Sequence, residues 1–464
     1  MFGAALTGAG FLGGAAYLAN HRQSRAKGRI VVVGGGAAGI DIAARLQRRL
    51  AEPDITIIDP APRHFYQAGF TLLASGVFAP EELYRPQESL IPPGVRFVQD
   101  TVVEIEPERN RLRTKSRGVI EYDYMVLTPG LEMDFSGIEG VSPERLGEGN
   151  VHCIYVFEGA QKCWQAIQKL AQTGGRAYFT DTWTKVKCGG APKKINMMAE
   201  HYCRLRGARE RVEFRFYTAT DHLYDIQPFR KRLEEIYAER GIPVTMNHRV
   251  KSVDIQTRRV TFENRAAQGS NGGERVTVEF DFLHIVPPMR APRFVRESAL
   301  AYDEATGKPS DWTPADPATL VHKRFKNVFV AGDVANLPTS KTAAAVRMQA
   351  PVAAANLIAA MQGRGPDAAY DGYAACPFVT EYGKVLMAEF DYSKKPRPTL
   401  RRRLKRLLRR STKPRTRRST PPLRSLTTPR LRRAKSWTTP APLSRARSTT
   451  PPPPLKALST TPAT

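Results

Sequence analysis

Five cysteines occur in 464 residues, and two of them stand in surroundings suited to thiol redox chemistry. Cys188 lies in Val186-Lys187-Cys188-Gly189-Gly190-Ala191-Pro192-Lys193-Lys194, and Cys376 in Ala375-Cys376-Pro377-Phe378-Val379-Thr380. The thiolate is the reactive form of cysteine, and a helix N-terminus or neighbouring cations favour it. Pro192 suits the first turn of a helix, which sets Cys188 just ahead of a helix start with Lys187, Lys193 and Lys194 around it. Gly189 and Gly190 carry no side chains that would hold a planar ring away from that thiol. The remaining cysteines, Cys153, Cys163 and Cys203, fall on patterns such as Cys163-Trp164-Gln165-Ala166-Ile167 and read as small packed residues. So few cysteines make no disulfide scaffold, and neither zinc-type nor haem-type spacing occurs, so no metal site is expected. His64, His201 and His284 read as structural hydrogen-bonders rather than bases.

Such a pair needs a framework, and the N-terminal third supplies a familiar one. Arg29-Ile30-Val31-Val32-Val33 is a β-branched run that reads as a buried parallel strand. Gly34-Gly35-Gly36-Ala37-Ala38-Gly39 follows it, matching G-x-G-x-x-G, and then comes a helical pattern from Ile40. Glycines here permit a tight turn, close approach to a pyrophosphate and close helix–strand packing, while the helix N-terminus holds the negative charge. Gly34, Gly36, Ala38 and Gly39 are therefore candidate dinucleotide-binding positions. Ile55-Thr56-Ile57-Ile58-Asp59 supplies the acidic residue for the ribose hydroxyls, twenty residues beyond Gly39.

Two later segments separate a flavin from a nicotinamide. Tyr124-Met125-Val126-Leu127-Thr128-Pro129-Gly130 is a strand ending in a small-residue turn, and Asn327-Val328-Phe329-Val330-Ala331-Gly332-Asp333 is a strand ending in Gly-Asp. Gly130, Gly332 and Asp333 are the residues by which a two-dinucleotide flavoprotein closes on FAD, with Asp333 on the ribityl chain. Lys341, just beyond, is placed to stabilise charge on the reduced ring. The long stretch between Gly130 and Asn327 is a second domain inserted into the first. Its strand Arg176-Ala177-Tyr178-Phe179-Thr180 is followed by no glycine fingerprint, and Cys188-Gly189-Gly190 stands in that neighbourhood instead. The expected fold is α/β with two Rossmann-like dinucleotide-binding domains: a split FAD domain and an inserted NAD-like domain lacking the nicotinamide fingerprint.

The chain resembles the sulfide:quinone oxidoreductases of mitochondrial type. The resemblance is carried by Arg63-His64-Phe65-Tyr66-Gln67, by Val186 to Ile195, and by Leu283-His284-Ile285-Val286-Pro287-Pro288-Met289. It continues through Asn336-Leu337-Pro338-Thr339-Ser340-Lys341-Thr342 and from Cys376-Pro377 to Glu389-Phe390-Asp391-Tyr392, covering about Arg29 to Lys395. By that resemblance Cys376 takes up hydrogen sulfide as a persulfide and Cys188 passes two electrons into FAD. The sulfane sulfur then leaves on a small acceptor such as glutathione or sulfite, and ubiquinone takes the electrons. Sulfide is largely anionic near neutral pH, so clustered lysines would draw it in. Quinone contacts in the family come from the segment after the second cysteine, where Phe378 and Tyr382 are the available candidates. The relatives end in apolar amphipathic helices, whereas this chain changes character after Pro396.

The formal net charge of +27 belongs to that ending. From Lys394 onward there are 22 Lys and Arg and no acidic residue; the rest holds 49 basic against 44 acidic residues, a net +5. The charge of the body is therefore ordinary, and no specific nucleic acid is expected as a partner. Leu400, Leu404, Leu407 and Leu408 lie on one face of a basic amphipathic pattern suited to an anionic membrane surface, and the Pro-, Ser- and Thr-rich remainder cannot bury a core. A solvated tail with loose affinity for polyanions is the equal alternative there. Residues 1–28 lack acidic side chains and turn basic at their end, as in a mitochondrial presequence or short anchor. No transmembrane helix is expected beyond them, which makes attachment to the inner membrane peripheral or monotopic; a homo-oligomer is compatible with the pattern. The expected units are 29–150 with 282–360 for FAD, 151–281 inserted with Cys188, 361–395 with Cys376, and a tail over 396–464. Two rival readings stand: an NAD(P)H:quinone oxidoreductase on this fold, or a membrane- or polyanion-binding protein acting through its tail.

Overall fold

Ile30, Val31, Val32 and Val33 are each at most 2% exposed, the burial on both faces that marks a strand inside a parallel sheet. The computed structural model describes residues 23–266 and 273–399. In chain order, β1 (Arg29–Val33), α1 (Ala37–Arg49), β2 (Asp54–Ile58), β3 (Arg96–Val98) and β4 (Tyr124–Leu127) come first. Then follow β5 (Val151–His152), α2 (Phe157–Thr173), β6 (Gly175–Thr180) and α3 (Ala191–Leu205). The run continues with β7 (Val212–Tyr217), α4 (Gln227–Glu239), β8 (Val244–Thr245) and β9 (Phe282–His284). Strand β10 (Val328–Val330), helix α5 (Ala343–Met361) and the hairpin β11–β12 (Ala374–Glu381 and Lys384–Phe390) close the described chain. Shorter segments are named by residue.

Two five-stranded parallel sheets result. The first has the order β10-β4-β1-β2-β3, so a strand some 200 residues downstream pairs beside β4 with Phe329 opposite Val126. The second has the order β5-β9-β6-β7-β8. Because β9 pairs with both β5 and β6, Phe282–His284 belongs to the inserted sheet, just past the limit of 281 read from the sequence. Antiparallel three-stranded sheets extend each half, over Val102–Glu121 and His248–Glu279.

Helix α5 is rich in alanine because it packs closely on α1; Ala350, Ala353, Ala354 and Leu357 are fully buried there. Thr342 caps it, its hydroxyl accepting the Ala345 N–H at 3.1 Å. By length and composition α5 alone among the described helices is long and apolar enough to cross a membrane. Its packing against α1, β10 and the hairpin strand β11 makes it a core helix. The hairpin β11–β12 lies on α3, with Cys376 opposite Ala388. The chain divides into Met1–Leu407 and Leu408–Thr464, and every described residue belongs to the first unit. Most of the presequence read over 1–28, and the basic tail from residue 400 onward, lie outside the described residues.

Candidate active site

The glycine loop closes between β1 and α1. Gly34 adopts φ +97°, and a Cβ there would stand 2.5 Å from the Thr128 carbonyl oxygen, so only glycine fits. A Cβ on Gly39 would overlap the Gly34 carbonyl. Gly36 is the contrast: a Cβ on it would meet nothing within 4 Å, which leaves open space in front of the first turn of α1, beside Ala38. That turn has N–H groups without helical partners, a cradle that fits a pyrophosphate. Asp59 stands at the loop as read from the sequence, and its carboxylate also organises it. One oxygen accepts the Gly35 N–H at 2.7 Å and the other the Ala61 N–H at 2.8 Å.

Three side chains, two bracing this loop and one bracing the Gly332 turn, carried no sequence signal sufficient to single them out. Thr128 donates its hydroxyl to the Val33 and Gly34 carbonyls, Gln87 donates to the Gly35 carbonyl at 2.7 Å, and Gln349 accepts the Gly332 N–H at 2.9 Å. Thr128 sits in a turn that the sequence marks, but Gln87 and Gln349 come from distant segments with no local pattern. His64 Nδ1 lies 3.3 Å from the Gly35 carbonyl oxygen.

At the same edge of the first sheet, just past the ends of β4 and β10, Gly130 and Gly332 both have φ near +76°. The Gly332 Cβ position lies 3.3 Å from the Ala38 side chain, which joins the two ends of the expected FAD site. Lys341 is nearly buried; its ammonium donates to the Asp333 and Ala335 carbonyls at 2.6 and 2.7 Å and stands 3.9 Å from the Trp312 ring centroid. Burial pulls its pKa down to about 7, with nearby Asp333 opposing the shift. Burial likewise raises the Asp333 pKa against the pull of Lys341 and Lys187.

The thiols meet where α3 begins. Cys188 Sγ and Cys376 Sγ are 3.6 Å apart, although 188 residues separate them in the chain. Cys188 holds the left-handed conformation, φ +51°, uncommon for a residue with a Cβ. Both its peptide groups are pinned: its N–H donates to the Lys341 carbonyl at 2.8 Å, and its carbonyl accepts from Ala191 N–H and the Tyr155 hydroxyl. Lys341 and Cys188 are thus joined through backbone, which ties the second domain's thiol loop to the first domain. A Cβ on Gly190 would overlap Cys376 Sγ and crowd the Phe378 ring, so glycine there permits the sulfurs' approach.

The two sulfurs are electrostatically unequal. The hydrogen bond from Cys376 and the Lys194 ammonium, 3.2 Å from Cys188 Sγ, overcome burial and hold the Cys188 thiol well below its ordinary range. Donating that bond, and being buried, pushes the Cys376 thiol up. Burial works against the charge of Lys194, but Cys188 and Cys376 outweigh it and raise its pKa. Lys193, next in sequence, instead pairs with the Asp181 carboxylate. Asp181 also accepts from the Thr218 hydroxyl and the Ala219 N–H. Lys187 donates to the Gln67 side chain at 2.6 Å.

The other expected residues divide. Phe378 is fully buried beside the pair, two residues along the same face of β11 from Cys376. Tyr382 stands in the turn beyond β11, donating to the Ser75 carbonyl and packed on His201, which accepts its N–H. Six positions along the chain, roughly 20 Å of extended backbone, separate it from Cys376. Cys153, Cys163 and Cys203 are fully buried, and burial raises all three thiols. His284 corrects the expectation of a structural hydrogen-bonder: neither ring nitrogen has a partner, because the ring lies among apolar side chains such as Phe179. Among the described residues, no group of three or more His, Cys, Asp or Glu could hold a metal.

Comparison with known proteins agrees with this geometry. Residues 28–177 match the pyridine nucleotide-disulphide oxidoreductase family. The chain is 36% identical to the mitochondrial sulfide:quinone oxidoreductase of Mus musculus, covering 80% of this chain and 79% of that protein. It is also 36% identical to the enzyme of that name from Dictyostelium discoideum, covering 78% of each. The X-ray structure of the sulfide:quinone oxidoreductase from Aquifex aeolicus superposes with a TM-score of 0.64 at 22% identity, covering 79% of this chain and 88% of that one, a likeness of fold. Similarity of this length and depth makes the chain a member of the sulfide:quinone oxidoreductase family.

Proposed function

We propose that this protein is an FAD-dependent, mitochondrial sulfide:quinone oxidoreductase in which Cys188 and Cys376 form the working thiol pair. The observation that carries the reading is the 3.6 Å approach of the two sulfurs with a lysine on one of them only. In the oxidised pair, HS⁻ adds to Cys376 Sγ, the bond between the two sulfurs breaks, and Cys188 leaves as a thiolate. Lys194 stabilises that leaving thiolate, which favours attack at Cys376 over attack at Cys188. The product is a persulfide on Cys376. A small thiolate such as glutathione, or sulfite, then removes the outer sulfur and leaves Cys376 as a thiolate. Re-forming the bond between the two cysteines releases two electrons. FAD supplies the two-electron acceptor, and ubiquinone takes the electrons onward.

The residues that would hold FAD are Gly34, Gly36, Ala38, Gly39 and Asp59 at the adenosine and pyrophosphate end. Gly130, Gly332, Asp333 and Lys341 would hold the flavin half. Lys341 would hold or give up a proton near neutral pH beside the ring. Phe378 suits an apolar quinone contact better than Tyr382 does, because it packs beside Cys376. A basic tail from residue 400 suits an anionic membrane surface.

Anaerobic absorbance of the purified flavoprotein tests the reading. Excess sulfide without quinone, a second HS⁻ taking the outer sulfur in place of glutathione or sulfite, should bleach the oxidised-flavin band, and Cys188→Ser and Cys376→Ser should each abolish the bleaching. Adding a soluble quinone should restore the band. A flavin that ignores sulfide but is bleached by NADH would overturn the assignment in favour of a nicotinamide-dependent quinone reductase.

A further inference from the structure

Helix α3 and strand β11 run side by side in the same direction. At their starts Gly190 stands against Cys376, and Cys188 Sγ is 3.6 Å from Cys376 Sγ. From Ala191 to Glu200 the helix rises roughly 13 Å. From Cys376 to Thr380 the strand extends over the same roughly 13 Å. At that far end one side chain joins the two elements. Arg240, immediately after α4, donates from Nη1 to the Thr380 carbonyl at 2.7 Å and from Nη2 to the Glu381 carboxylate at 2.9 Å, both on β11. Its Nη1 also lies 3.4 Å from the Met197 carbonyl and 3.4 Å from the Glu200 carboxylate, both on α3. Arg240 and Glu200 are nearly buried. Burial raises the Glu200 pKa, and Arg240 is the foremost of the arginines that oppose it. A guanidinium is a rigid planar fork, so these bonds fix direction as well as distance.

We propose that Arg240 is a positioning residue for the sulfur pair: by clamping β11 to α3 it keeps Cys376 within bonding reach of Cys188. The inference rests on the reading of these cysteines as the working pair. The step served is the joining of the two thiolates, Cys188–S⁻ and Cys376–S⁻, into one disulfide, with two electrons passing to the flavin. Arg240 acts on that step only through the two elements it holds. A disulfide tolerates a narrow range of Cα separations and Cβ directions, so a small slide of β11 along α3 lowers the effective concentration of one thiol at the other. Arg204 also spans Glu200 and Glu381, at 3.5 and 3.4 Å, but it is half exposed and meets carboxylates alone. Replacing Arg240 leaves neither carboxylate bare: Arg204 and Arg209 remain on Glu200, and Arg204 and Lys384 on Glu381.

The test equilibrates wild-type, Arg240→Met, Arg240→Lys and Lys384→Met flavoproteins anaerobically in dithiothreitol buffers of set potential. Thiol alkylation reads the bond between Cys188 and Cys376, and each variant also gives a melting temperature and a sulfide bleaching rate. In Arg240→Met the equilibrium constant for closing the bond should fall about ten-fold, a rise of ~30 mV in reduction potential, and bleaching should slow by a similar factor. Arg240→Lys keeps the charge but not the fork, so its shift should have the same sign and be smaller. Lys384, 2.8 Å from Glu381 and largely exposed, is the charge control: Lys384→Met takes a cation from the same carboxylate without touching α3 and should keep the wild-type potential. A wild-type potential and bleaching rate in both Arg240 variants overturns the proposal, even with a lowered melting temperature, as does an equal shift in Lys384→Met. If Arg240→Met does not fold, Arg240→Lys alone decides. Wild-type cysteines that form no bond at any potential remove the reading beneath, a result distinct from these.

Discussion

Lys194 Nζ lies 3.2 Å from Cys188 Sγ, whereas the adjacent Lys193 turns away to the Asp181 carboxylate. Successive helix residues point about 100° apart, so one of two neighbouring lysines is assigned to the thiolate and the other to the scaffold. Replacing Lys194 by Met should release the Cys188 thiol toward the usual cysteine range near 8.5. The sign is that of an acid whose pKa is held low: the thiolate is present above the folded pKa and is lost as pH falls through it. At neutral pH the variant's sulfide-driven flavin reduction should drop roughly ten- to a hundred-fold and recover as pH rises past ~9. A rapid-mixing pH profile checks this, and a profile identical to wild type would mean that the Cys376 hydrogen bond suffices alone.

Gly190 sets the sulfur–sulfur gap. Because an added Cβ would overlap Cys376 Sγ and the Phe378 ring, Gly190→Ala should push β11 from α3 or rotate the thiol. Overpacking of this kind costs ~1–3 kcal/mol. We expect a folded flavoprotein with at least a ten-fold slower sulfide half-reaction, measured beside its flavin content. Full activity would show that the pair tolerates a wider separation.

The two ends of the glycine loop should respond oppositely. Gly36 has φ −72° and open space at its Cβ, so Gly36→Ala should change the stability of the apoprotein by no more than ~0.5 kcal/mol while weakening FAD retention. Gly34→Ala demands a left-handed alanine against the Thr128 carbonyl, and should cost more than ~2 kcal/mol in the fold itself. Denaturant melts of apoprotein, paired with released-flavin assays, separate these effects. Equal melts for the two variants would contradict the steric account.

Lys341 should leave a signature in stability against pH. Its pKa falls from 10.5 to about 7 on folding, so between those values the unfolded chain binds the proton and the native protein does not. Stability from this group therefore rises with pH from 7 to 10.5 and is flat below 7. Lys341→Met also leaves two carbonyls unpaired, so its mean stability is no guide; the slope is. Apoprotein melts across that window should lose the lysine's share of the rise, and an unchanged slope would place the ammonium in a more solvated setting.

Sequence alone was enough for the unit from Arg29 to Asp59. Strand, glycine turn, helix and second strand are contiguous and read as one run, although the Thr128 carbonyl that excludes a Cβ at Gly34 comes from 94 residues away. Burial of Val31 and Ile57 follows from the same local run. The Cys188 loop was legible as an electropositive helix start for the same reason. Its pairing with Cys376 was legible by family resemblance only, since nothing within either segment specifies a partner 188 residues away. Tertiary structure decided the rest. It chose Lys194 over Lys193, placed β9 in the inserted sheet by pairing it with β5 and β6, and left His284 without a hydrogen bond among aromatic neighbours. It brought Gln87, Gln349 and Tyr155 to the site from segments with no motif. Those choices depend on helix phase, strand register and close packing between distant segments, quantities that a linear pattern leaves undetermined until the chain has folded.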